Sequence, residues 1–108
     1  MYKQMLNVSW GTEPISSGTI TTSVSQEILA FPSAGVQVRC VTSDLVKVQV
    51  FSMFNASVDT VPYKEFNLSG TRTISLPPGK YMLVFTRISA ESTYEIWSAL
   101  LAFNLTEV

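Results

Sequence analysis

Apolar residues fall on every second position along most of this chain, and a period of two admits one kind of regular structure, strands with one covered face. VQVRCV places Val36, Val38 and Cys40 on one side, and LVKVQVFSMF continues with Val46, Val48, Val50 and Phe54. In YKQMLNVSW, Tyr2, Leu6, Val8 and Trp10 share a face interrupted by Gln4, before GTEP breaks the run. GTITTSVSQEILAF sets Ile20, Val24 and Ile28 against mostly Ser and Thr, as one long strand or two short ones. FNLSGTRTISL points Ile74 and Leu76 inward. The TSD at 42–44 reads as a turn in which Ser and Asp bond nearby backbone. NASVDTVPYKE, residues 55–65, reads as a loop or short edge strand, because its polarity is mixed and it holds a proline.

Two segments depart from simple alternation. YMLVFTRI is apolar on both faces, Tyr81, Leu83 and Phe85 on one and Met82, Val84 and Ile88 on the other. Such a strand belongs in the middle of a sheet. TYEIWSALLAFNL is ambiguous: Ile96, Leu100 and Phe103 fit helical spacing and Ser92 with Glu95 forms a capping-box pattern, yet a last strand beside a central one would complete the sheet. A strand is the preferred reading and a C-terminal helix over 94–105 the alternative. The expectation is an all-β single domain over 1–108, a two-sheet antiparallel sandwich of immunoglobulin-like or jelly-roll type with seven to eight strands.

LPPGKYMLVF carries a turn signal, with two prolines ending one strand and Gly79 allowing the reversal into the next. Taken with its flanks, TRTISLPPGKYMLVFT resembles the paired strands of small β-sandwich modules in which a strand ends in Leu-Pro-x-Gly and the next begins with Tyr. The resemblance covers about residues 71–86. Modules of this kind occur in phage and virus decoration proteins, adhesins, carbohydrate-binding modules and other extracellular accessory domains. It implies a fold and leaves function open.

The residue inventory excludes several chemistries. There is no histidine, which removes Ser-His-Asp and Cys-His catalysis and histidine metal ligation together. The single Cys40 cannot form an intramolecular disulfide, and in VQVRCV a buried thiol is expected. The eight acidic residues are spread along the chain with no paired-carboxylate or DxDxD pattern, so no enzyme, cofactor or metal site is expected; calcium at Asp44 or Asp59 has no motif behind it. A net charge of -1 with seven scattered basic residues argues against nucleic acid. No apolar stretch is long enough to span a bilayer, and MYKQMLNVSW lacks a signal-peptide pattern.

Charged residues are only 14% of the chain, against roughly 25% in soluble proteins generally. A surface so short of charge suits neutral ligands, protein cover or a plain Ser/Thr-rich β surface. All four asparagines, Asn7, Asn55, Asn67 and Asn104, sit in N-glycosylation sequons, a pattern that hydroxyl-rich strand ends also produce. Trp10, Trp97, Tyr63 and Tyr94 are the candidate contacts for a ligand or partner. The two tryptophans fall among apolar neighbours and are expected in the core, whereas Tyr63 and Tyr94 have polar surroundings and are the better contact candidates. Together these features predict a noncatalytic assembly protein of β-sandwich form, a virion component such as a capsid decoration or cement protein. It would act through protein-protein contacts as a homo-oligomer, a trimer among the forms considered, docked on a larger array. The alternative is an extracellular carbohydrate-binding or adhesin module that uses exposed aromatics.

Overall fold

The computed structural model describes the backbone of residues 2–30, 35–54, 57–58 and 61–107, and side chains within these spans except at 2–9, 30, 54, 57–58 and 100–107. Asn55 and Asp59, and the side chains of Asn7, Phe54, Leu100, Phe103 and Asn104, therefore lie outside the described set. Among the described residues eight strands follow one another: β1 (Tyr2–Trp10), β2 (Ser16–Ile20), β3 (Ser23–Ala30), β4 (Val36–Phe54), β5 (Ser57–Val58), β6 (Lys64–Leu76), β7 (Gly79–Arg87) and β8 (Ser92–Glu107). All pairings are antiparallel, and no helix occurs among the described residues. The ambiguous segment is a strand, with Ser92 and Glu95 at its start rather than capping a helix.

The expected turn at 42–44 is corrected to a bulge inside one 19-residue strand. Thr42 pairs with Gly70 and Val46 with Leu68, so three residues of β4 oppose the single Ser69 of β6. Side-chain alternation keeps its phase across the bulge, and Val38 and Cys40 before it and Val46, Val48 and Val50 after it are all fully buried. Ser92 and Ser43 satisfy the freed backbone. Asp44 N–H donates to Ser92 Oγ at 3.1 Å, Thr93 N–H donates to Ser43 Oγ at 2.9 Å, and the buried Thr42 hydroxyl donates to Leu68 C=O at 3.2 Å. Partnered in this way, the polar groups at the bulge carry little desolvation cost.

The bulge divides β4 between two wings of one curled sheet. The first wing holds residues 36–42 of β4 between the C-terminal part of β6 and β8, with β2 and β1 end to end along the far edge of β8. The second wing holds residues 46–52 of β4 between the N-terminal part of β6 and β7, with β3 beyond β7. At one end β2 runs into β3 and β7 into β8 around the same corner as the bulge. At the other end only Pro77 and Pro78 separate β6 in the first wing from β7 in the second. Two linking residues can span at most about 11 Å between Leu76 and Gly79, close to the ~10 Å spacing of stacked sheets. The sheet is thus folded back on itself.

Its inner face is one cluster. Ile20, Ile28, Val36, Val38, Cys40, Val46, Val48, Val50, Leu68, Ile74, Leu76, Tyr81, Leu83, Phe85, Tyr94 and Ile96 pack together, with Val24 and Phe66 against them. The positions read as inward on β3, β4, β6 and β7 are found inward wherever their side chains are described, with Val24 partly buried and Phe54 outside the described side chains. β7 lies between β4 and β3, as its doubly apolar sequence requires, although Ile88 is 46% exposed beyond its end. Tyr81 closes the Pro-Pro link: its hydroxyl donates to Pro77 C=O at 2.8 Å, and a Cβ on Gly79 would stand 3.2 Å from the Tyr81 hydroxyl oxygen. Gly70 is a separate case, with φ of +104° and open space around its missing Cβ, so its backbone alone calls for glycine there.

Candidate functional site

The outer face of the first wing carries the most concentrated chemistry. Arg39 on β4 is the register partner of Trp97 on β8, and Trp10 at the end of β1 is paired with Ala99 one row further along. Alternation puts Arg39, Trp97 and Ala99 on the side of the sheet opposite Val38, Cys40 and Ile96. The Arg39 guanidinium carbon lies 4.4 Å from the centroid of the Trp10 ring and 5.3 Å from that of Trp97. One cation therefore serves two aromatic faces, each contact worth about 0.5–2 kcal/mol depending on how far it is desolvated. All three side chains are half-buried, and Ala99 in the same patch is 1% exposed.

This placement reverses two expectations. Trp10 and Trp97, expected in the core, stand on the outer face, because the strand alternation that buries Ile96 sends Trp97 the other way. Tyr94, expected in polar surroundings, is only 8% exposed and joins the core, with its ring edge-on to Phe85 at a centroid distance of 5.8 Å. Its hydroxyl reaches Ser16 Oγ at 3.1 Å, which satisfies the one polar atom the core must hold there. Tyr63 is 52% exposed and lies at the opposite wing, 6.1 Å from the Tyr81 ring. The structure therefore joins Trp10 and Trp97 and leaves Tyr63 and Tyr94 apart from them.

Arg39 was absent from the sequence-derived candidates. Its signal lay in VQVRCV, where a cation occupies an outward position between two buried ones and would sit beside whatever aromatic the neighbouring strand aligned with it. Arg39 Nε is buried without a hydrogen-bond partner, and among the described residues no carboxylate pairs with this guanidinium. Around the three residues the outer positions are hydroxyl-bearing or neutral: Gln37 on β4, Thr71, Thr73 and Ser75 on β6, and Ser17 and Thr19 on β2, with Glu95 on β8 the one acid of the patch among the described residues.

No group of three or more metal-ligating side chains occurs among the described residues. Asp44 instead accepts a hydrogen bond from the Ser43 hydroxyl at 3.0 Å. Cys40 is buried at 0% exposure, and desolvation pushes its thiol up to about 12 against the smaller opposing pull of Arg72, so it is a packing residue without nucleophilic character at neutral pH. Asn67 is exposed on β6.

No family model matches the chain, and no curated protein matches it. Among solved structures, one described as "Carbohydrate-Binding Module CBM36 in complex with calcium and xylotriose" is similar over 94% of this chain and 99% of its own, at 12% identity and a TM-score of 0.34. A superposition that loose carries no argument about ligand. The function must be read from this chain's own residues.

Proposed function

We propose that this protein is a noncatalytic carbohydrate-binding module, a β-sandwich of the immunoglobulin-like or jelly-roll kind whose ligand is a neutral glycan lying along the outer face of the first wing. The observation that carries the reading is the Trp10–Arg39–Trp97 group. Two large aromatics held on an outer face, in a surface poor in charge and rich in hydroxyls, match the two sides of a sugar: C–H faces for the rings and hydroxyl groups for Arg39, Gln37 and the Thr and Ser rows. Arg39 is held by its aromatic neighbours before any ligand arrives, so little side-chain freedom remains to be lost on binding. Binding and orientation would be the whole function. A setting outside the cell goes with this reading.

Calorimetric titration with neutral β-linked xylo- and cello-oligosaccharides, backed by a neutral glycan array, tests it. Trp97→Ala and Trp10→Ala should each abolish measurable binding while Tyr63→Ala leaves it intact. Absence of binding to every neutral glycan, with the protein folded, overturns the reading.

A second reading, an assembly protein packing copies of itself as in a virion shell, is favoured by the other wing. There Phe51 and Met82 are direct cross-strand partners on the outer face, with Val84 two residues along β7, and this apolar group is half-buried rather than capped by charge. The comparisons add nothing toward a virion. Light scattering separates the two readings, since assembly requires a defined oligomer and a glycan module functions as a monomer.

A further inference from the structure

At the corner where both wings turn lies a cleft of about 460 Å³, lined by Thr21, Thr22, Ser23, Thr86, Arg87 and Ile88. It is formed by the β2–β3 and β7–β8 links, away from the tryptophan face. Arg87 is fixed across it from both ends. Its backbone N–H donates to Thr22 C=O at 2.9 Å, and its two terminal guanidinium nitrogens donate to Thr21 C=O and Ser89 C=O, each at 3.3 Å. A guanidinium has five N–H donors, so two bonds to carbonyls leave three free. The ion pairs of the described residues are Lys47–Glu65 and Lys80–Glu27, and neither supplies Arg87 with a counter-charge. The hydroxyls of Thr21, Thr22, Ser23 and Thr86 make no hydrogen bond to described protein groups, and Ile88 offers an exposed apolar wall.

We infer that this corner cleft binds an acidic sugar unit, a uronate whose carboxylate pairs with Arg87 and whose hydroxyls are taken by the surrounding Thr and Ser side chains. The chemistry selects the ligand. A guanidinium with three N–H donors left over can hold a carboxylate, and its charge is not paired with an acid among the described residues. Four hydroxyls that can each donate and accept suit a polyhydroxylated ring better than a bare anion, and Ile88 suits the C–H edge of that ring. An apolar ligand would strand all five polar groups; a nucleic acid would need further cations that the corner lacks. The site shares no residue with the tryptophan face, so the two stand or fall separately.

The test is a ¹H–¹⁵N NMR titration of the full chain with sodium glucuronate, glucose and sodium acetate in parallel. Glucuronate should shift the amides of residues 21–23 and 86–88, with glucose and acetate leaving them in place at the same concentration. Arg87→Gln should weaken glucuronate at least about tenfold, and Trp97→Ala should leave it unchanged. Should Arg87→Gln fail to fold, Arg87→Lys keeps the charge, loses the fork and should weaken binding severalfold, as should Thr86→Val. Equal shifts with acetate reduce the cleft to a simple anion contact and overturn the sugar assignment. Equal shifts with glucose overturn the role of charge, and no shift with glucuronate, or shifts indifferent to both Arg87 variants, overturn the site.

Discussion

The two wings grow from the same long strand, share one core and yet finish their outer faces differently. On the first wing an arginine is held between two tryptophans, and no acid of the described residues forms an ion pair with it, Glu95 on its diagonal included. On the second, lysines are matched with acids in diagonal pairs, Lys47 with Glu65 at 3.3 Å and Lys80 with Glu27 at 3.1 Å, around the Phe51–Met82 pair. The contrast follows from hydration. An ammonium is strongly hydrated and keeps its place at an exposed ion pair, while a guanidinium sheds water more easily and can lie flat on indole. A face built from exposed ion pairs is tuned to solvent. One built from arginine on tryptophan keeps aromatic surface and unspent donors for a ligand.

The comparison depends on a common core, and Phe85 is its largest fully buried side chain, on β7 of the second wing with an edge-to-face contact to Tyr94 of the first. Phe85→Ala should cost about 3–5 kcal/mol and weaken both wings together; chemical denaturation with two probes, one near each wing, would show coincident transitions. At the Pro-Pro link, Gly79→Val should cost roughly 2–3 kcal/mol by pushing the Tyr81 ring aside and breaking its bond to Pro77. An unchanged melting temperature would remove Tyr81 from its role in joining the wings.

The outer faces themselves are separated by a matched pair of variants. Arg39→Ala should cost about 1–2 kcal/mol and quench or shift tryptophan emission, with little response to added salt. Lys80→Ala should fall within about 0.5 kcal/mol, because an exposed ion pair contributes little and is screened. Equal costs would erase the distinction drawn between the faces. The smallest effect at neutral pH comes from beneath the first wing. Cys40 ionises at an ordinary 9.0 when unfolded and near 12 when folded, so its contribution is fully present below about pH 9 and is lost as pH rises toward 12. Tyr81, raised mainly by burial and further by Tyr63, adds to the same alkaline loss. Cys40→Ala should flatten the part of that slope that starts at pH 9, and a thiol reagent should label Cys40 no faster than the chain opens.

Alternation alone was enough to read the inward set, since a strand side chain has only two directions to take and Val36, Val38, Cys40, Val46, Val48 and Val50 all announce theirs. It failed at Trp97 and Tyr94 for a related reason. Both faces of β8 are populated with large residues, so composition could not say which was covered, and polar neighbours at Tyr94 belonged to the outer face. The TSD segment was misread because the same residues suit a turn and a bulge, and the choice rests on how many residues the partner strand spends, which no local pattern records. Arg39 gained its meaning only from register, through the tryptophans that two distant strands bring beside it. The corner cleft was less legible still: Thr21, Thr22 and Ser23 are 63 or more positions from Thr86, and nothing local ties them.

β4 is paired on both its edges at residues 36–42 and 46–50, and one of its two neighbours changes from β8 to β7 across the bulge while β6 stays on the other side. The molecule consequently has no seam: every cut that would separate one wing from the other passes through β4 and β6. A protease that nicks an exposed link therefore yields two pieces that remain clasped under native conditions, and they part only in denaturant.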